Sequence, residues 1–107
     1  KNQEQQSYDQ KLDYKVFEDS SERLLEWSDI YMLSNEDIRI AKNEIYARHG
    51  RRFASTDLQS YFDQMAWYNG TVRPQNFDSG CLNAVEVANI SFLDSEQQGQ
   101  DQITSLL

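Results

Sequence analysis

Apolar residues recur at helical spacing near the middle of the chain, between Ser34 and Gly50. One face of this stretch is formed by Ile38, Ala41 and Ile45. Such spacing is typical of an amphipathic α-helix. Ser34 is suited to accept hydrogen bonds from the first backbone N–H groups, and Gly50 is suited to a left-handed C-cap. The pattern predicts a helix over residues 35–49, with Ile40 and Ala47 facing the opposite side.

The same periodicity predicts two further helices after Gly50. The apolar face of the first is formed by Leu58, Tyr61, Phe62 and Met65. This helix is expected from residue 56 or 57 to about residue 66. The second follows Asn83, which forms a capping-box pair with Glu86. We expect it over residues 84–97.

Shorter elements are expected around these helices. An apolar cluster at residues 27–33 predicts one or two helical turns, and Pro74 prevents a helix in the stretch 67–82. That stretch is therefore expected to be a long loop held by its own aromatic side chains. Core contacts from extended segments are expected from Val16, Phe17, Leu24 and Leu25. The fold class is all-α: a small single domain of three main helices, a short N-terminal helix and a long aromatic loop.

Both ends of the chain are polar and rich in glutamine. We predict a flexible linker or arm over 1–15, the domain over 16–97, and a C-terminal tail over 98–107. Because the chain begins with Lys1 rather than methionine, we expect it to be a piece of a longer protein.

Composition excludes several classes of function. The chain has 107 residues and a net charge of −8, so it is expected to repel nucleic acid. No apolar run reaches the ~20 residues of a membrane span. One cysteine, Cys81, excludes an intrachain disulfide, and with His49 it cannot complete a Cys/His zinc site without carboxylates or a second chain. We expect no metal and no cofactor, and we take the protein to be monomeric.

The run from Asn43 to Phe53 reads NEIYARHGRRF and resembles the motif that names the YARHG domain family. The residues before it, DIRIAK, also resemble the family, although Lys42 stands where arginine is common. The similarity covers about residues 17–93. It implies a presumed extracellular domain of bacteria, often part of anchored or multi-domain surface proteins, with no defined catalytic residues. We therefore expect an extracellular or cell-envelope location, with the anchor in a part of the parent protein absent from this chain.

Positive charge is concentrated in the segment 39–52, which holds five cations and one acid. The rest of the chain holds five cations and 17 acids. One interpretation is an anion site beyond the helix end, for a phosphate-rich wall polymer, a peptidoglycan carboxylate or an acidic partner. The other is that these cations neutralise acids of the same domain, such as Asp57, Asp63 and Glu86.

Four polar residues of the predicted central helix form i,i+4 pairs: Arg39 with Asn43, and Glu44 with Arg48. One interpretation is an internal polar network, to which Tyr46 is added, that positions the surrounding loops. The other is a ligand-binding arginine with an orienting carboxylate.

Trp67 and Tyr68 allow two readings as well. They fit either the core of a small domain or an aromatic face for a sugar. His49 could act as a general base, with Cys81 as a nucleophile if the two meet in space, but the sequence carries no geometric sign of such a dyad.

The leading hypothesis is a non-catalytic bacterial cell-surface module that binds a cell-wall component or a protein partner. Its candidate ligand-binding residues are Arg48, His49, Arg51, Arg52, Trp67 and Tyr68. The alternative is a structural spacer or regulatory domain of a larger envelope protein, with no ligand of its own. A third hypothesis is a cell-wall hydrolase, for which the 18 acids carry almost no specific signal.

Overall fold

The computed structural model describes residues 11–106, which form four α-helices and no β-strand. In chain order these are α1 (Trp27–Ile30), α2 (Asn35–Arg48), α3 (Thr56–Asp63) and α4 (Ala84–Leu106). The loop between α3 and α4 contains two short 3-10 turns, Pro74–Asn76 and Ser79–Cys81. The predicted all-α class with a long loop is confirmed.

The predicted capping residues delimit α2. The Ser34 hydroxyl accepts a hydrogen bond from the Asp37 backbone N–H at 3.0 Å. At the other end, Gly50 adopts φ 79°, the left-handed conformation that ends many helices. The backbone N–H of Gly50 donates to the Ala47 carbonyl. The helix ends one residue before the predicted boundary, so its position is essentially that given by the sequence.

Helix α2 lies between two apolar clusters, as its two-sided pattern predicted. The first cluster is formed by Leu25, Ile30, Ile38, Ala41, Ile45 and Leu93. The second is formed by Ala47, Phe53, Leu58 and Phe62. Ile38 and Ala47 are both at most 1% exposed although they face opposite clusters. Because it is buried on both sides, the helix must satisfy its polar side chains within the protein.

Helix α3 is shorter than predicted, since it ends at Asp63 rather than near residue 66. The backbone after it bonds to the N-terminal segment instead of continuing the helix. Leu12 donates to the Gln64 carbonyl at 2.9 Å and accepts from the Ala66 N–H at 2.7 Å. This pairing leaves Met65 1% exposed, and it involves residues more than fifty positions apart in the sequence.

Helix α4 begins with the predicted capping box. The Asn83 side chain accepts from the Glu86 N–H at 2.8 Å, and the Glu86 carboxylate accepts from the Asn83 N–H at 2.9 Å. The helix packs along α2 and continues to Leu106, nine residues beyond the predicted end at residue 97. Glutamine, which is frequent here, has good helix propensity. The division of the chain into arm, domain and tail stays a prediction, and residues 1–10 lie outside the described range.

The short helix expected within residues 27–33 is confirmed, whereas one of the core positions expected just before it is wrong. Helix α1 is one turn, Trp27–Ile30, and the chain turns before α2 with the Leu33 N–H bonded to the Ile30 carbonyl. Leu25 is buried as expected, but Leu24 is 59% exposed rather than in the core.

Candidate functional site

Glu44 lies in the interior of α2 and holds the N-terminal segment. Its carboxylate is fully buried and accepts hydrogen bonds from the backbone N–H groups of Val16 at 2.6 Å and Phe17 at 3.1 Å. Burial raises the pKa of this carboxyl above its usual range, and the two backbone bonds and the Arg48 charge only partly offset that effect. Glu44 therefore fixes a segment almost thirty residues earlier against the central helix.

Arg48 lies one turn after Glu44 and bonds to the same segment. Its Nη1 lies 3.6 Å from Glu44 Oε1 and donates to the Phe17 carbonyl at 3.1 Å. Its other nitrogens donate to the hydroxyls of Ser20 and Ser21. The Arg48 side chain is 16% exposed. This predicted ligand-binding residue is thus placed inside a network of protein groups.

The network continues to Glu86 and His49. Ser21 donates to Glu86 Oε2 at 2.7 Å, and His49 Nε2 lies 2.9 Å from the same oxygen. Burial raises the pKa of the Glu86 carboxyl, but hydrogen bonds from Asn83, Ser21 and His49 outweigh it and hold the pKa below its usual range. His49, another predicted ligand-binding residue, is therefore directed at an internal carboxylate.

The remaining predicted network residues do not join this group. Arg39 binds Asp57 at 2.9 Å and Glu36 at 3.1 Å, which ties the start of α2 to the start of α3. The Asn43 amide donates to the Arg39 carbonyl at 2.9 Å and is buried. Tyr46 instead packs against the ring of Phe77 and lies under the guanidinium of Arg51. The sequence grouped these side chains by helix position, whereas the fold separates them into three sites.

Three polar residues complete the interior without having been predicted. Asn89 is 1% exposed, and its amide oxygen accepts from the Leu25 N–H at 2.9 Å. Its nitrogen donates to the carbonyls of Ser20 and Arg23, both at 2.9 Å. Ser20 and Ser21 bond Arg48. For the two serines the sequence offers no signal, and Asn89 is marked only by its place on the inner face of α4.

Trp67 and Tyr68 close an aromatic cluster with Phe62 and Phe53. The Trp67 indole N–H donates to the Tyr14 carbonyl at 2.8 Å, and the Tyr68 hydroxyl donates to the Arg51 carbonyl at 2.8 Å. Both rings are half-buried and meet Phe62 at centroid distances of 5.9 and 5.8 Å. Tyr68 thereby connects the aromatic cluster to the segment that carries Arg51.

Arg51 and Arg52 follow the helix end in a short segment that runs beside Val72. The Arg51 guanidinium lies over Tyr46, 4.4 Å from the ring centroid, and within 6 Å of the Phe53 and Phe77 rings. Arg52 is exposed, with its Nη1 3.4 Å from the Gly70 carbonyl oxygen. Within residues 11–106 neither arginine lies within 4 Å of a carboxylate.

Arg51 also borders a cleft between α2 and α4, with a volume of about 510 Å³. The lining residues are Lys42, Asn43, Tyr46, Arg51, Val87, Ile90, Ser91 and Asp94. Lys42 Nζ lies 2.9 Å from Asp94 Oδ1 across this cleft. Arg51 Nε is buried and has no hydrogen-bond partner in the part of the chain that the structure describes. The cleft thus combines one paired cation, one cation held by aromatic rings and an apolar wall.

Metal binding, thiol chemistry and membrane insertion were considered for the described residues. Between residues 11 and 106 no group of three or more His, Cys, Asp or Glu side chains is placed to hold a metal ion. Cys81 is a free, exposed thiol in the second 3-10 turn. Over the same range, no helix is both long and apolar enough to cross a membrane.

Comparison with models of protein families gave a match. The family model of the YARHG domain matches residues 5–98, which is most of the chain and includes the central helix, the arginine pair and the cleft. No curated protein and no solved structure matched the chain. The matched segment contains residues 17–93, over which the sequence resembles the family, and extends beyond them at both ends. The chain belongs to the YARHG domain family.

Proposed function

We propose that this domain is a non-catalytic binding module of the bacterial cell surface that recognises anionic groups of a cell-wall component or a protein partner. The observation that carries the proposal is that only three of the five cations in the segment 39–52 are paired with carboxylates among the described residues. Three of them meet carboxylates of the same domain: Arg39, Lys42 and Arg48. Arg51 and Arg52 meet none among residues 11–106. Self-neutralisation therefore accounts for three cations and leaves two for a ligand.

The environment of Arg51 suits a binding role. Its guanidinium is held over aromatic rings, so little side-chain freedom is lost when a ligand binds. Its Nε is buried, so an anion is expected to bind the Nη nitrogens of the guanidinium. Arg52 adds a second, exposed guanidinium next to it in the chain. Together they supply the planar donors that carboxylates and phosphates accept from.

The lining of the cleft indicates which kind of ligand it could bind. Its apolar wall of Val87, Ile90 and the Tyr46 ring favours a ligand with an apolar group beside its negative charge. Asp94 already neutralises Lys42, so the ligand's anionic group is expected at Arg51. A carboxylate that follows a small apolar side chain fits both conditions, as in the peptide part of peptidoglycan or the end of an acidic protein segment.

A binding assay with charge-reversal variants tests the proposal. The wild-type protein and the Arg51→Glu, Arg52→Glu double variant are incubated with purified peptidoglycan, and bound protein is measured by sedimentation. We expect the double variant to bind at least about tenfold more weakly, because each arginine becomes a like charge. Lys11→Glu makes half of this change in net charge at an exposed residue outside the cleft and should bind as wild type. Equal binding by wild type and the double variant, with the fold retained, would remove the arginine pair from the site.

The alternative function is a spacer or regulatory domain without a ligand. It is favoured by the side chains of Glu44 and Arg48, which point into the domain and bond to its own backbone, so that these motif residues stabilise the fold. This alternative predicts that neither peptidoglycan fragments nor acidic peptides raise the melting temperature, whereas a bound ligand must raise it.

Three further parts of the proposal have separate tests. Release of soluble fragments from peptidoglycan by the pure domain would contradict the non-catalytic assignment. Protease accessibility on intact cells that make the parent protein would test an extracellular location. Sedimentation equilibrium would test the monomeric state.

A further inference from the structure

A group of exposed apolar side chains lies at α1, apart from the cleft. Leu24 is 59% exposed, Trp27 63%, Tyr31 57% and Met32 80%. The Trp27 and Tyr31 rings stack with centroids 5.0 Å apart and an interplanar angle of 20°. We call these four residues the α1 platform. Exposed aromatic and methionine side chains in one short segment are typical of protein interaction sites rather than of ordinary surface.

The underside of the α1 platform is firmly held. Ile30 is 1% exposed and belongs to the first apolar cluster. The Leu25 N–H donates to the buried Asn89 side chain. Asp29 accepts from the Arg23 guanidinium at 3.1 and 2.9 Å and from the Glu26 N–H at 2.7 Å. The backbone that carries the exposed rings is therefore fixed before any partner arrives, which lowers the entropic cost of binding.

The surroundings of the α1 platform are acidic. Residues 18–37 contain seven acids and a single cation, Arg23, which is bound to Asp19 and Asp29, and a fourth residue of this range, Glu36, is paired with Arg39. Glu22 and Glu26 are exposed, and Glu26 directly precedes Trp27. Two copies meeting face to face would bring these carboxylates together, and an anionic lipid surface would be repelled as well. The charge favours a cationic partner.

We propose that the α1 platform binds a cationic amphipathic segment of a partner protein. Apolar side chains of that segment pack on Trp27, Tyr31 and Met32, and its lysines or arginines meet Glu22 and Glu26. A cation over the outer face of Trp27 adds a cation–π contact. This site is independent of the arginine cleft, which accepts anions, so the domain carries two surfaces of opposite charge preference.

A synthetic helical peptide of leucine and lysine serves as the probe, with a leucine and glutamate peptide as its counterpart. Binding is followed by the NMR resonance of the Trp27 indole N–H and by calorimetry. We expect the lysine peptide to bind and the glutamate peptide not to bind. Trp27→Ala should weaken binding about thirtyfold or more, which is typical of a central aromatic contact. Tyr14→Ala removes an aromatic side chain that is 54% exposed outside the platform and should leave the affinity unchanged.

Charge variants separate this site from general attraction to an acidic protein. Glu22→Gln with Glu26→Gln should weaken the lysine peptide several-fold and flatten its salt dependence. Asp13→Asn with Asp63→Asn removes the same charge at exposed positions elsewhere and should have little effect. Arg51→Glu should not weaken binding of the lysine peptide, which keeps this result separate from that of the cleft.

Several results would overturn the proposal. One is that the lysine peptide does not bind at millimolar concentration. Another is that Trp27→Ala binds the peptide as tightly as wild type. The third is that the Glu22, Glu26 double variant and the Asp13, Asp63 double variant change the affinity equally. A dimer abolished by Trp27→Ala would assign the α1 platform to a second copy of this chain. Trp27-dependent binding to phosphatidylglycerol vesicles would assign it to a membrane surface, and a shift of the Trp27 resonance by neutral oligosaccharides would assign it to a sugar.

Discussion

Replacing Arg48 by alanine removes the side chain that joins the central helix to the N-terminal segment. The lost contacts are with the Phe17 carbonyl, the hydroxyls of Ser20 and Ser21, and the Glu44 carboxylate. Glu44 is fully buried, and removing the neighbouring cation makes its charged form less stable and raises the pKa of its carboxyl further. The variant therefore removes hydrogen bonds to one backbone carbonyl and two hydroxyls and leaves the buried carboxyl without its neighbouring cation.

The size of the effect follows from the burial of these groups. Removing one partner of a buried ion pair costs about 3–5 kcal/mol, more than the loss of one ordinary hydrogen bond. The two backbone bonds to Glu44 remain, which moves the expectation to about 3–4 kcal/mol. A small domain has a total stability of about 5–15 kcal/mol, so Arg48→Ala should remove between about a quarter and three quarters of it.

Guanidinium denaturation followed by far-ultraviolet circular dichroism measures this loss. Arg48→Lys keeps the charge but cannot reach the three acceptors with one ammonium group, so it should lose about half as much. Arg52→Ala is the matched control, since Arg52 is exposed and makes one long bond to a carbonyl, and it should stay within about 0.5 kcal/mol of wild type. The double variant Arg48→Ala, Glu44→Gln should be less destabilised than the sum of the single changes, because no buried charge is left alone.

A loss of less than about 1 kcal/mol for Arg48→Ala, with an unchanged denaturant slope, would refute this reasoning. It would mean that Arg48 contributes little to holding the N-terminal segment. Arg48 would then return to the group of candidate ligand-binding residues.

Three further changes test other parts of the fold. Gly50→Ala should cost about 1–2 kcal/mol in urea denaturation, because φ is 79° and the new Cβ would lie 3.1 Å from the Asn69 carbonyl oxygen. The pKa of Glu86 is lowered in the folded state, so its carboxylate stabilises the fold above the unfolded pKa of about 4.3, and this stabilisation is lost as the pH falls through the folded pKa. Glu86→Gln should therefore reduce the fall of the melting temperature between pH 7 and pH 3. An unchanged pH dependence in this variant would contradict the assignment. Asn89→Asp should cost about 3 kcal/mol or more at pH 7, since a buried carboxylate would face two backbone carbonyls. Part of this loss should be recovered at acid pH, where a protonated carboxyl can donate to a carbonyl. Equal stability of the variant at pH 7 and pH 4 would show that its carboxyl is not held against those carbonyls.

Prediction succeeded where the determining chemistry is local. Ser34 and Gly50 delimit α2 because a cap acts on backbone groups within four residues of itself. The same holds for the Asn83 and Glu86 capping box at the start of α4. The end of α3 was predicted too late because Leu12, a residue far away in the sequence, bonds the backbone at that point.

At the candidate site, too, the sequence predicted what depends on neighbouring residues and missed what depends on tertiary contacts. The sequence located the excess of positive charge in the segment 39–52, but it could not tell which cations are neutralised within the domain. That depends on which acids the packing of α2, α3 and α4 brings near, and Asp94 is 52 residues from its partner Lys42. The sequence also assigned Leu24 to the core, whereas the direction in which α1 docks leaves it exposed.

The sequence by itself determined the all-α class and the caps and two-sided burial of α2, because these depend on periodicity and on neighbours a few residues apart. It also indicated the family, through the resemblance of the run from Asn43 to Phe53 to the family's motif. The tertiary structure alone decided that Glu44 and Arg48 turn inward, that Arg51 and Arg52 remain without carboxylates among the described residues, and that aromatic rings stand exposed at α1. Each of these depends on the distance between groups that only the folded chain brings together.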